Sequence, residues 1–273
     1  MPAEAGRHAA VLGHPIEHSL SPVLHRAAYR ELGLSWTYDR RDVTAEDLPA
    51  FLEGLDHSWA GLSLTMPLKA AVLSLLDEVD DLALATGAAN TVVLVDGRRL
   101  GFNTDVEGVA AALDERDAGR RSATVLGAGA TARSAVAALA RRGAPGVTAY
   151  VRRPESAGDL RATAAACALD LEVLPWALAA DGLGADVVVS SVPRGAADDL
   201  AAHVPEHTGT LLDVVYDPWP TPLATAWSDH GGQVASGLDL LLHQAVGQVR
   251  LMTGRTPSLA VLRRALEAAA AAR

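Results

Sequence analysis

The sequence has a single cysteine, Cys167, so it can form no intrachain disulfide and offers no second thiolate for a metal cluster. That residue reads as a small apolar member of a helix. Basic residues are also few, 23 against 33 acidic, giving a formal charge of -10 with no basic tract to offset it. Such a balance repels a phosphate backbone, so nucleic acid is not an expected partner, although a local field can still hold a small anion. Long apolar runs are missing: none approaches the roughly 20 residues of a membrane helix. The amino-terminal stretch carries Glu4, His8, His14 and Glu17 without a continuous apolar segment, which argues against a signal peptide. The expectation is a cytoplasmic protein with no membrane partner.

What is present is ordinary globular composition, 49% apolar and 21% charged over 273 residues, enough for two domains with cores of their own. Apolar runs alternate with helical patterns, the signature of α/β folds. A strand at 9–12 is followed by Ser21-Pro22, read as an N-cap with proline at N1 for a helix to about Leu32. Strands are expected at 36–43 and 59–64, separated by a helix that Thr44 caps, all in a parallel sheet. Helical stretches at 67–76 and 77–85 follow. Asp96-Gly97 then marks a hairpin, since both residues tolerate positive φ, and the ribbon is placed on the sheet edge. Thr104 and Glu107 have capping-box spacing for a helix to about Glu115. A polar connection at 114–122 precedes a second βαβ system: strands at 123–126, 146–151, 186–190 and 211–215, with helices to Arg142 and over 157–169. Helices from Gly237 to about Leu251 and from Pro257 to Ala272 close the chain. The expected domains are 1–104 with 237–273, and 105–236.

Gly127-Ala128-Gly129-Ala130-Thr131-Ala132 lies directly between a strand and a helix, the context that gives a Gly-x-Gly-x-x-Ala string meaning as a dinucleotide turn. Gly127 permits the tight turn, Gly129 lets backbone approach a pyrophosphate, and Ala132 lets the helix pack on the strand. After the next strand stand Arg152 and Arg153, where a site for NAD would place an acidic residue. Two guanidiniums suit a 2′-phosphate, so NADP is favoured over NAD.

Ser19 and Ser21 follow the first strand, where open parallel sheets bind ligands, and can donate to a carboxylate. Ser21 serves equally well as a helix cap. Lys69 is placed in the first turn of a helix, a poor position for a cation electrostatically, which either proton transfer or plain solvation explains. Asp105 opens the helix leading into the second domain and can pair with Lys69 there, although an acidic residue at a helix start is ordinary. His14-Pro15-Ile16-Glu17-His18 matches the H-x-x-E-H string of a zinc peptidase class, but Gly13 and Pro15 argue for a loop, and no metal is expected.

Gly-x-Pro-Ile-x-His-Ser-x-Ser-Pro at 13–22, Thr-Met-Pro-x-Lys at 65–69, Gly-Ala-Ala-Asn-Thr at 87–91, Asn-Thr-Asp at 103–105 and the glycine turn, in that order, resemble the shikimate dehydrogenase family. Tyr216 with Thr221-Pro222, and Gly237-Leu238 with Gln244-Ala245, extend the resemblance over nearly the whole chain. It implies an α/β substrate domain plus a Rossmann-type, doubly wound NADP domain. The implied activity is reversible NADPH-dependent reduction of 3-dehydroshikimate to shikimate in aromatic amino acid biosynthesis. By the same resemblance Lys69 is the acid/base residue beside Asp105, and Ser19 and Ser21 bind the substrate carboxylate. Thr65, Asn90, Asp105 and Gln244 bind hydroxyls, Tyr216 contacts substrate, and Gly237 supports the nicotinamide end through its backbone. A monomer or homodimer is expected. Ser63, Phe102 and Asp239 depart from the common family pattern, and Val151 precedes Arg152 where the family has an Asn-Arg-Thr motif. Two alternatives stay open: a quinate or quinate/shikimate dehydrogenase, and a catalytically silent NADP-binding sensor.

Overall fold

The computed structural model describes residues 6–272; residues 1–5, which include Glu4, and Arg273 lie outside it. In chain order the elements are β1 (His8–Gly13), α1 (Ser21–Glu31), β2 (Thr37–Asp42), α2 (Leu48–Glu53), β3 (Trp59–Leu64), α3 (Leu68–Ala71), β4 (Glu78–Val79), α4 (Asp81–Thr86), β5 (Thr91–Val95) and β6 (Arg98–Phe102). There follow α5 (Asp105–Asp114), β7 (Ala123–Leu126), α6 (Ala130–Arg141), β8 (Gly146–Val151), α7 (Gly158–Ala166), β9 (Asp170–Pro175), β10 (Val187–Ser190) and β11 (Thr210–Asp213). The last are α8 (Pro222–Asp229), β12 (Gln233–Ser236), α9 (Gly237–Thr253) and α10 (Leu259–Ala271). Among the described residues two compact units result, one of 6–84, 88–104 and 241–272, the other of 85–87 and 105–240.

The first unit holds a six-stranded sheet in the order β2-β1-β3-β5-β6-β4. As expected, β1 runs parallel to β2 and β3, and the hairpin strands join the sheet antiparallel, β5 to both β3 and β6. The β5–β6 ribbon turns at Asp96 and Gly97, with φ of 50° and 75°, as the dipeptide demands. It is not the sheet edge, because two-residue β4 pairs parallel with β6 beyond it. β4 takes the start of the stretch 77–85 that reads as helix; its backbone finds partners only when the chain returns as β6, which no local pattern announces. Leu12, Leu62, Leu64, Leu68 and Val92 fill the core on one face, and α1 packs beside α10. Ser21 is the first residue of α1 rather than its cap; Leu20 holds that position, and Pro22 stands second. Likewise Thr44 does not cap α2: Asp47 does, and the Thr44 hydroxyl instead donates to the Asp47 carboxylate at 2.7 Å.

The second unit has a wholly parallel sheet, β12-β11-β10-β7-β8-β9. β7, β10 and β11 are buried at every position, as strands covered on both faces by helices must be. The direction of winding reverses between β7 and β10, which places the Gly127 turn at the switch point where such sheets bind ligands. β9 and β12 carry no clear apolar run. β9 is an edge strand whose Asp170 and Glu172 face solvent, charged residues of the kind that protect an unpaired edge. Cys167 sits just past the last residue of α7, half-buried, and burial pushes its thiol pKa up. Among the described residues no helix is long and apolar enough to cross a membrane.

Candidate active site

In the first unit the carboxyl ends of β1 and β3 are tied together by backbone. Thr65 N–H donates to Leu12 at 2.9 Å and His14 N–H to Met66 at 3.0 Å. Gly13 makes this approach possible: a Cβ there would lie 2.4 Å from Thr65 Cγ2 and 3.0 Å from the Met66 carbonyl. The chain from 14 to 20 is a loop, so the two histidines of the H-x-x-E-H string do not share a helix face. His14 instead holds Asp42 at 2.6 Å, and that hydrogen bond raises its pKa. Among the described residues no cluster of three or more His, Cys, Asp or Glu can hold a metal ion. Within the loop, Ser19 Oγ accepts the Ser21 N–H at 3.3 Å, while both ends of the Arg40 guanidinium hold the Ser19 carbonyl, Nε at 2.8 Å and Nη2 at 2.6 Å. Ser19 is half-buried and Ser21 buried.

Lys69, the only lysine in the sequence, is the second residue of the four-residue helix α3 and is half-buried. Its carbonyl accepts the Ala89 N–H at 2.8 Å, which sets the helix beside the segment carrying Asn90. Asn90 and Gln244 are buried together: Asn90 Nδ2 donates to Gln244 Oε1 at 3.3 Å, and Gln244 Nε2 to the Leu241 carbonyl at 3.0 Å. Asn90 Oδ1 accepts the Thr104 N–H at 2.9 Å and the Thr91 hydroxyl at 2.8 Å. Beneath them Gln248 is buried against Ser63, His25 and Thr91. Thr91 closes the Gly-Ala-Ala-Asn-Thr motif, but Gln248 and His25 lie outside every motif. Asn90 and Gln244 are 154 residues apart and His25 and Gln248 are 223, so only the fold brings them together.

In the second unit Gly127 has φ of +109°, and a Cβ there would meet Ser191 Oγ at 2.8 Å and Val192 Cγ1 at 3.3 Å. Gly129 caps α6 in an extended conformation, with no protein atom within 4 Å of where its Cβ would be. The first turn of a twelve-residue helix thus faces open space across a residue without a side chain, a fit for pyrophosphate on backbone amides from Ala128 to Ala130. Arg152 and Arg153 follow β8 and are exposed. Arg133, on the first turn of α6, is buried and holds Asp159 at 2.7 Å, which balances a cation at the positive end of a helix. Asp105 is buried as the first residue of α5. Tyr216 lies against Gly237: a Cβ on Gly237 would sit 2.0 Å from the Val214 carbonyl and 3.0 Å from Tyr216 Cδ1. Asp239, the departure noted in α9, accepts the Ser236 N–H at 2.8 Å and holds Arg116 at 3.3 Å.

Residues 11–92 match the shikimate dehydrogenase substrate binding domain, and residues 237–267 the shikimate 5′-dehydrogenase C-terminal domain. A relative from Methanothermobacter thermautotrophicus named shikimate dehydrogenase (NADP(+)) is 36% identical, covering 94% of each chain. The chain belongs to the shikimate dehydrogenase family. The crystal structure of Mycobacterium tuberculosis shikimate dehydrogenase is 41% identical, covers 96% of this chain and 99% of its own, and superposes with a TM-score of 0.90. A Thermus thermophilus shikimate 5-dehydrogenase solved in complex with NADP(H) and shikimate is 35% identical over 96% of this chain and 99% of its own, with a TM-score of 0.85. The family resemblance read from the motifs therefore holds, as does the expectation of an α/β fold with a Rossmann-type, doubly wound second sheet.

Proposed function

We propose that the chain is an NADP-dependent alcohol oxidoreductase that interconverts 3-dehydroshikimate and shikimate, a step of aromatic amino acid biosynthesis carried out in the cytoplasm. The observation that carries this reading is the buried Asn90–Gln244 pair beside the Lys69 helix, in a chain of this family. A ring bearing several hydroxyls needs fixed polar partners of this kind, because an analogue lacking one leaves buried groups unpaired.

Ser19 and Ser21 hold the substrate carboxylate, and Thr65, Asn90 and Gln244 its hydroxyls. Lys69 gives or takes the proton at the reacting oxygen, and Asp105 binds that hydroxyl. Tyr216 packs on the substrate. The backbone from Gly127 to Ala130 holds the dinucleotide pyrophosphate, Arg152 and Arg153 its 2′-phosphate, and the backbone at Gly237 the nicotinamide end. NADP, when bound, supplies or accepts the hydride.

An absorbance assay for NADPH crossing shikimate and quinate with NADP and NAD tests the reading. Turnover is expected with shikimate and NADP. A preference for quinate with NAD overturns both specificities, and inactivity with every pair in folded protein leaves a binding protein instead.

A further inference from the structure

We propose that Arg40 sets the charge of the ligand this chain accepts: its guanidinium is the cation that lets the serine loop, residues 14–20, favour a carboxylate over a neutral group. This rests on the reading of Ser19 and Ser21 as the carboxylate residues given above.

β2 is the edge strand of its sheet, and alternate side chains along it point to one face. Tyr38, Arg40 and Asp42 share the face that meets α1, since Tyr38 stacks on His25 of that helix with ring centroids 3.9 Å apart. The chain between β1 and α1 is gripped by this face at two points. Asp42 holds His14 at its start, at 2.6 Å, and Arg40 holds the Ser19 carbonyl near its end, through Nε at 2.8 Å and Nη2 at 2.6 Å. Among the described residues no backbone N–H donates to that carbonyl, so the guanidinium is its whole partner.

The two grips differ in what they do with charge. Asp39 takes both Arg26, at 2.9 Å, and Arg41, at 3.7 Å, and Asp42 takes His14, whereas among the described residues no ion pair joins Arg40 to an acid. A guanidinium carries five N–H donors; two reach the Ser19 carbonyl, and no carboxylate cancels the charge. The surroundings otherwise have the opposite sign. Asp42, Glu17 and Asp47 all make the His14 ring hold its proton more tightly, in a chain of net charge -10. An anion approaching the two serines meets that field, and their hydroxyls offer it hydrogen bonds but no charge. Ser19 has one hydrogen to give, because its oxygen accepts the Ser21 N–H at 3.3 Å. A cation fixed on the carbonyl of the same serine reverses the sign where the carboxylate arrives, by an interaction that is appreciable near a surface and that salt screens. A carboxylate in place of that carbonyl would have cancelled it.

Arg40→Met keeps an unbranched stem and removes the charge. It is expected to raise KM for shikimate about tenfold, with kcat and KM for NADP within about twofold, while KM for shikimate methyl ester, the same ring without the charge, changes by less than about twofold. Arg40→Lys keeps the charge on a different head group and is expected to lie within about threefold of wild type for shikimate. A rise shared equally by acid and ester, an unchanged KM for both, or Arg40→Lys as impaired as Arg40→Met overturns the proposal. Salt gives a second measurement. At saturating NADP, raising sodium chloride from about 20 to about 500 mM is expected to weaken shikimate severalfold in wild type and Arg40→Lys but not in Arg40→Met. The same response in all three overturns the proposal, and a wild-type affinity that ignores salt overturns it without reference to any variant's folding. Calorimetric binding of shikimate, run beside the assay, separates this proposal from the functional reading. Binding that depends on Arg40 in a protein without turnover sinks the enzyme reading alone, and wild-type protein that binds no shikimate sinks both.

Discussion

Thr221 Oγ1 donates to Asp213 Oδ2 at 2.8 Å while accepting the Ala224 N–H at 3.1 Å, so one hydroxyl caps α8 and satisfies a buried carboxylate. Asp213 also accepts the Val215 N–H at 3.2 Å, and the segment so closed carries Tyr216. Burial pushes the Asp213 carboxyl up from its ordinary value, against the pull of those donors. Thr221→Val is expected to cost about 1–3 kcal/mol of stability, read by urea denaturation. The folded carboxyl holds its proton more tightly than the unfolded one, so this group's contribution to stability falls as pH rises above the ordinary carboxylate value. Losing a donor widens that window, and the cost of Thr221→Val is expected to be smaller at acid pH than at neutral pH.

His25 has the opposite sign. Its folded pKa of about 4 lies below the ordinary 6.5, so the unfolded chain binds the proton more readily between those values. Stability from this group is complete above pH 6.5 and declines as pH falls toward 4, by on the order of 3 kcal/mol in all. His25→Phe is expected to flatten that part of the stability profile in urea titrations run across the same range.

As the only lysine in the sequence, Lys69 can be addressed chemically as well as by mutation. Lys69→Met is expected to lower kcat by about two to four orders of magnitude while NADPH binding, followed by fluorescence, stays unchanged. Acylation of the wild type at this amine is expected to inactivate it in parallel with modification, and saturating shikimate to slow both. Full activity in Lys69→Met would remove the lysine from the chemistry.

The two glycines of the turn separate folding from binding. Gly127→Ala meets both a positive φ and the Ser191 hydroxyl, and is expected to destabilise the protein by about 1–3 kcal/mol. At Gly129 an added Cβ meets no protein atom within 4 Å, so the melting temperature of Gly129→Ala is expected to stay near wild type while NADPH affinity falls. Thermal melts with and without NADPH check both.

Arg152 and Arg153 are expected to act on the 2′-phosphate alone. Their joint replacement by alanine should raise KM for NADP by about ten- to a hundredfold and leave KM for NAD nearly unchanged. An equal effect on both cofactors would mean that the arginines serve some other part of the dinucleotide.

Much of the molecule is legible in the sequence because its signals are local. The Gly127 turn, the Asp96-Gly97 hairpin and the buried strands of the second sheet are dictated by residues within a few positions of one another. Lys69 at the start of a short helix and Arg152-Arg153 after β8 are equally local, and the structure places them on those elements. The misreadings share one cause. β4, β9 and β12 are edge or near-edge strands without apolar runs, and they exist because a distant strand offers its backbone. Ser21 and Thr44 lost their expected capping roles to residues one and three positions away, where chain entry, not side-chain preference, set the helix start.

The order of motifs by itself pointed to the family and the cofactor, since each motif needs only its own few residues to state its chemistry. Tertiary structure alone decided how Asn90 is turned. Its Oδ1 accepts the Thr104 N–H and the Thr91 hydroxyl, and Gln248, which holds Thr91, is held in turn by His25 and Ser63; these groups come from separate elements, and only folding brings them together away from water.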